Sequence, residues 1–200
     1  MNTMTYISFS IGVLTLTSLL TACISNTINN KHEASSHYKN GEFINSEPFE
    51  KPTFSKTVSI IKRFIFEDKI NTEPKTPIPV SKIETSDLQN SVANQTAVYR
   101  LGHSTILMEL NGEIWMTDPV FSDRASPVQW AGPKRFHPTP IDVDALPTIN
   151  GIIISHDHYD HLDKNTIKQI HPKVNGFYVP LGVGRHLLDW GVPKDKVHEF

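Results

Sequence analysis

The stretch GIIISHDHYDHLD, residues 151–163, decides how the rest of the chain is read. Its first half is a run of isoleucines of the kind that forms a buried strand. Its second half, SHDHYDHLD, holds three histidines and three aspartates in nine positions. An α/β sheet presents its functional groups where strands end and loops begin. At such a point His156 and His158, two residues apart in an extended turn, can aim both imidazoles at one cation. Asp160 and His161 lie slightly further on and can turn toward a second cation beside it. Imidazole nitrogen and carboxylate oxygen are good zinc ligands, and imidazole also suits iron. Two such metals about 3.5–4 Å apart can share a hydroxide, lower its pKa and clamp an ester or phosphoester oxygen. The competing reading is a polar loop that is rich in His and Asp by chance. The position straight after a buried strand argues against chance. The pattern speaks for metal binding and hydrolase chemistry and says nothing of substrate.

Working outward, the flanking segments spell alternating strands and helices. AVYRLG (97–102) and STILMEL (104–110) are β-rich, and Asn111–Gly112 reads as a turn into EIWMTD (113–118). A three-stranded meander ending at Asp118–Pro119 follows. Residues 120–141 are rich in Pro, Gly, Arg and aromatics and lack periodicity, so they form a long loop, and long ordered loops are more often functional than idle. Beyond the motif, 164–170 reads as a helix capped by Asp163, and GFYVP (176–180) as a strand. VGRHLLDWG (183–191) is a helix stopped by Gly191, and KVHEF (196–200) begins another strand. Such alternation predicts an α/β layer architecture.

Three stretches in order, LGHST (101–105), TDPVFSDRASPVQWAGPKRF (117–136) and SHDHYDHLD (155–163), carry a resemblance. HDHYDH resembles the signature of the metallo-β-lactamase fold. The three together are similar to the N-acyl-phosphatidylethanolamine phospholipase D-like branch and its bacterial RomA-type relatives, over roughly residues 97–200. The resemblance implies a four-layer αββα sandwich built from two similar halves. It also implies two zinc ions, with iron or manganese as alternatives. His156 and His158 would bind the first ion and Asp160 and His161 the second, the last two as catalytic residues. Asp118 would orient a metal ligand and His103 would support the site, although either could be a plain strand-end hydrogen bonder. Arg124, Lys134 and Arg135 suit a phosphate or another anion of a lipid or small-molecule substrate, or are solvated loop charges. His137 is a weaker candidate, and His171, His186 and His198 have no ligand-like spacing.

The remaining sequence bears on location. Residues 7–22 are uncharged and close on small residues just before Cys23, as in a secretory signal. LTAC resembles a bacterial lipoprotein box, which would lipidate Cys23 and make it the mature N-terminus; Ile24 after it favours the outer membrane. The first six residues, MNTMTY, depart from that pattern in having no Lys or Arg, and a short uncleaved anchor is the competing reading. From 24 to 96 the composition turns to Asn, Ser, Thr, Lys and Glu, a tether or loosely ordered lead-in. Within it, 54–68 predicts an amphipathic helix: Phe54, Val58, Ile61 and Ile65 recur at helical spacing and Thr53 can cap them. That helix lies on a membrane or packs against the following domain.

Composition narrows the classes. A net charge of −2 gives no signal for a nucleic-acid partner, and a single cysteine excludes an intramolecular disulfide framework. The family resemblance implies further ligands from a second half, whereas this sequence ends at Phe200, so a truncated domain is the expectation. Two classes of function follow: a membrane-tethered metal-dependent hydrolase of a phosphodiester or related ester, or an inactive fragment or weak metal-binding module. A lactone or β-lactam substrate is possible on the same fold, and a homodimer completing the site in trans is conceivable.

Overall fold

The computed structural model describes residues 35–45, 47, 52–67, 70, 72–89 and 96–200. Cys23 and the rest of 1–34 lie outside them. The chain divides into two compact units, Met1–Glu67 and Asp68–Phe200.

In the first unit Asn40 and Gly41 both have positive φ, 53° and 84°, which is the conformation that closes a two-residue hairpin. It joins β1 (Tyr38–Lys39) to β2 (Glu42–Phe43). The predicted amphipathic helix forms as α1, Phe54–Phe66. Thr53 caps it by accepting from the Lys56 amide at 3.4 Å, and Arg63 pairs with Glu67 one turn on. Its apolar Phe54, Val58, Ile60, Ile61 and Phe66 are exposed.

The second unit is organised by a six-stranded sheet in sequential order, β3 to β8. β3 (Thr96–Gly102), β4 (Thr105–Leu110) and β5 (Glu113–Thr117) form the expected antiparallel meander. β6 (Gly151–Ile153), β7 (Phe177–Val179) and β8 (Val197–Glu199) then add in parallel. Parallel neighbours need a crossover, supplied by the long segment 118–150 between β5 and β6, by α3 (Lys164–Ile170) between β6 and β7 and by α4 (Gly184–Asp189) between β7 and β8. Pleating sends alternate residues to opposite faces, so Leu107, Met116, Ile152 and Phe177, registered side by side, line one face. All four are fully buried, with Ile167, Ile170 and Leu187 from the two helices in the same cluster. Each such side chain contributes about 1.5–3 kcal/mol by leaving water.

The opposite face carries Val98, Met108 and Trp115 in one row and Ile106, Thr117, Ile153 and Tyr178 in the next. Here Trp115 lies across Gly151, where a β-carbon would come within 2.2 Å of the indole. Val98 and Ile153 are exposed, 62% and 42%. This unit is therefore one α layer on one mixed sheet.

The unit also starts earlier than the composition suggests. A short helix α2 (Thr85–Gln89) places Leu88 in the core, with Ile83 packed against it. Both residues lie in the stretch whose composition predicts a lead-in, with the domain expected to begin near Ala97. Five residues give too little periodicity to register, yet one buried leucine fixes the segment.

Candidate metal centre

Three chain segments meet at one edge of the sheet: the β3–β4 turn, the end of β5 and the end of β6. Because β3, β5 and β6 run in the same direction, all three deliver their C-terminal ends there. This is the edge at which α/β sheets hold ligands.

Asp118 ends β5 with φ of +40°, an uncommon conformation for a residue with a β-carbon. Its amide donates to the Ile153 carbonyl at 2.9 Å, and its own carbonyl accepts from Thr105 Oγ1 at 2.7 Å. The buried carboxylate accepts three bonds. Ser155 N donates to Oδ1 at 2.7 Å, and Ser155 Oγ donates to Oδ2 at 2.8 Å. His161 Nδ1 lies 2.8 Å from the same Oδ2. A carboxylate only accepts, so a neutral His161 carries its proton on Nδ1 and turns an unprotonated Nε2 outward. The Ser155 hydroxyl has used its proton on Asp118. It therefore accepts from His156 Nδ1, 2.9 Å away, and His156 also presents Nε2. One aspartate thus sets two imidazole tautomers, the arrangement by which carboxylates orient metal-binding histidines.

The motif folds into a turn in which the amides of His161 and Leu162 both donate to the His158 carbonyl. The imidazoles gather: ring centres of His156 lie 4.6 Å from His158 and 4.0 Å from His161. Asp160 Oδ2 lies 3.6 Å from His161 Nε2 and 2.9 Å from His103 Nε2. Burial pushes the Asp160 carboxyl up, but its own backbone N–H and the His161 and His103 imidazoles outweigh that and hold it below the ordinary aspartate value. His103, Asp160 and His161 each offer one ligand atom, all within 4.8 Å of one another. They are the group among the described residues able to hold a metal ion; His156 and His158 stand beside it. Asp157 points elsewhere, 3.7 Å from His186.

The loop 120–141 is pinned over this edge by its own polar groups. Asp163 caps α3 through Asn165 N at 3.0 Å and accepts from Ser122 N at 3.0 Å, while Phe121 N donates to Thr166 Oγ1. Arg135 donates to the carbonyls of Val120 and Ser122, and burial lowers its pKa despite Asp123 and Asp163 nearby. The Arg124 guanidinium donates to the Gly132 carbonyl at 2.6 Å, and the Arg124 backbone pairs antiparallel with that of Lys134 across the loop. Both guanidiniums thus hold the loop in shape. Arg135 and His137 pack on Gly102, the residue before His103, and Lys134, Arg135 and His137 line a cleft of about 360 Å³. A larger cleft of about 440 Å³ beside Thr139 and Gln169 contains no histidine. The sequence reading did not single out Ser155, Thr105 or Thr166. A serine just before the first histidine was the only trace of the relay.

Residues 115–199 match the family model described as "Beta-lactamase superfamily domain". With the HxHxDH turn at the sheet edge, this makes the region a member of the metallo-β-lactamase superfamily. Among curated relatives, an uncharacterised Mycobacterium tuberculosis protein is 40% identical over 170 residues, covering 84% of this chain and 45% of its own length. N-acyl-phosphatidylethanolamine-hydrolyzing phospholipase D 1 of Caenorhabditis elegans is 33% identical over 182 residues, covering 86% of this chain and 50% of its own length. The chain thus spans about half the length of the curated relatives it matches. A solved structure, the diiron β-hydroxylase CmlA of Streptomyces venezuelae, aligns over 74% of this chain and 26% of its own, at 22% identity and a TM-score of 0.39, a likeness too slight to carry argument.

Proposed function

We propose that this chain carries the metal-binding part of a metal-dependent hydrolase that cleaves a phosphodiester, with a phospholipid as the substrate class. The observation that carries the reading is the Asp118 relay, which fixes His156 and His161 with Nε2 outward beside the ionised Asp160. The donor set of imidazole nitrogens and a carboxylate fits zinc, iron or manganese. His156 and His158 would hold one ion, and Asp160 and His161 the other. Bound ions would supply Lewis acidity and lower the pKa of water at neutral pH. The protein's own part is to hold these side chains rigid, since Asp118 is itself tied by Ser155 and by the Ile153 carbonyl. Lys134 and His137 line a cleft that also contains Asp123 and the loop-holding Arg135, and an anionic substrate would bind there through Lys134. The phospholipase relative supports the phospholipid, as does the lipoprotein-like Cys23, for which we propose lipidation and membrane attachment.

The test is hydrolysis of bis(p-nitrophenyl) phosphate and of N-acyl-phosphatidylethanolamine vesicles by the zinc-loaded protein. Turnover should vanish with chelator and with His158→Ala, and return on adding metal to the wild type alone. Turnover that survives both treatments contradicts the assignment. Cleavage of a lactone in place of either phosphodiester would keep the hydrolase and remove the substrate class. For the anchor, Cys23→Ser should release the protein from membranes, and unchanged fractionation would sink that reading.

A further inference from the structure

We infer that His103 is itself a metal ligand, completing with Asp160 and His161 a three-ligand site for one divalent cation. The inference rests on the metal-centre reading and adds a residue from a separate strand turn to it. His103 Nε2 and His161 Nε2 both approach Asp160 Oδ2, and one ligand atom of each of the three residues lies within 4.8 Å of the others. Four-coordinate zinc with bonds of about 2.0–2.2 Å keeps neighbouring ligand atoms roughly 3.3–3.6 Å apart. The two edges to Asp160, 2.9 Å and 3.6 Å, lie near that spacing and the third is within 4.8 Å, so closing on an ion needs the two imidazoles to draw together by up to about 1 Å. His161 is already committed to Nε2 by Asp118, so the donor it offers faces the same carboxylate oxygen as His103.

The backbone gives an independent reason. The β3–β4 register slips between Arg100 and Gly102, a bulge of the kind that re-aims side chains beside active sites. Past it, Gly102 has φ of +144° and His103 has φ of +44°, two positive-φ positions in succession that turn the chain sharply at the strand end. The turn sets the His103 ring against the Asp160 carboxylate, where a ligand would stand. The ring also stands edge-on to His161, 5.3 Å between centres. With His103, a catalytic zinc's usual three protein ligands come from residues 103–161 of this chain.

The test uses the 200-residue chain carrying His156→Ala and His158→Ala, which removes the neighbouring imidazoles and leaves the three ligands. Titration with Co²⁺ or Zn²⁺ should give one ion per chain, and X-ray absorption should count two imidazoles on it. Adding His103→Gly, which suits the left-handed backbone, should weaken binding at least tenfold and leave one imidazole. Free imidazole should restore the cobalt spectrum. Circular dichroism of His103→Gly and His103→Asn, unchanged from the parent, shows that the fold is intact. Equal imidazole counts with and without His103, or no ion bound by the parent, overturn the inference. None of these readouts involves turnover. A failed hydrolase assay therefore leaves the ligand assignment standing, and a failed ligand assignment leaves the hydrolase testable.

Discussion

Asp118 does the most for the centre of any single residue. Replacing it with Asn keeps the size but offers an N–H as well as a carbonyl, so His161 can take the other tautomer with its proton on Nε2. We expect Asp118→Asn to weaken metal binding about 10–100-fold, measured by calorimetric zinc titration; an unchanged affinity would show that the relay is idle. Asp160 predicts a pH dependence. Its folded-state pKa lies below the unfolded value, so its contribution is present above the ordinary aspartate pKa and is lost as pH falls through the lowered one. A carbon-detected NMR titration of the metal-free protein should find Asp160 titrating below exposed aspartates, and a midpoint at or above theirs would contradict this. The ligand-type residues were legible because their spacing follows a buried strand. Ser155 was not, because a serine's partners depend on which strand end lies opposite, and one sequence does not reveal that.

Among the elements, the parallel β5–β6 contact depends on a missing side chain. Trp115 rests on Gly151, so Gly151→Ala forces a β-carbon into the indole and should cost about 1–3 kcal/mol, read as a lowered Tm. Asp163 serves two elements, capping α3 and holding the Ser122 amide. Asp163→Ala should cost about 1–2 kcal/mol from the cap alone and should also speed amide exchange at Ser122; slow exchange there would show that the loop has other anchors. The meander, α3 and its cap were legible, because alternation and capping chemistry are local signals. The hairpin at Asn40–Gly41 has the same turn dipeptide as Asn111–Gly112, but its strands are two residues long and carry no alternation to notice. For α2 the deciding fact, the burial of Leu88, belongs to the sheet it covers.

For the molecule taken as a whole, the sheet of the second unit has one face covered by helices and one bearing exposed Val98 and Ile153. Exposed apolar surface of that kind marks an interaction face. The 200-residue chain should therefore bind a hydrophobic dye, and Val98→Thr with Ile153→Thr should lower the signal without lowering Tm. Absence of dye binding would mean that the face is covered in solution. The meander and the alternation of strands with helices were legible at this scale; sheet order, strand direction and the two faces emerge only from the pairing and register. The proposed metal centre at residues 156–161 is tested by the metal content of the purified chain, read by elemental mass spectrometry before and after dialysis against zinc. At least one ion per wild-type chain is expected, with a loss of bound metal in His161→Ala. Zinc that stays at background in the wild type, or is retained in full by His161→Ala, would contradict it.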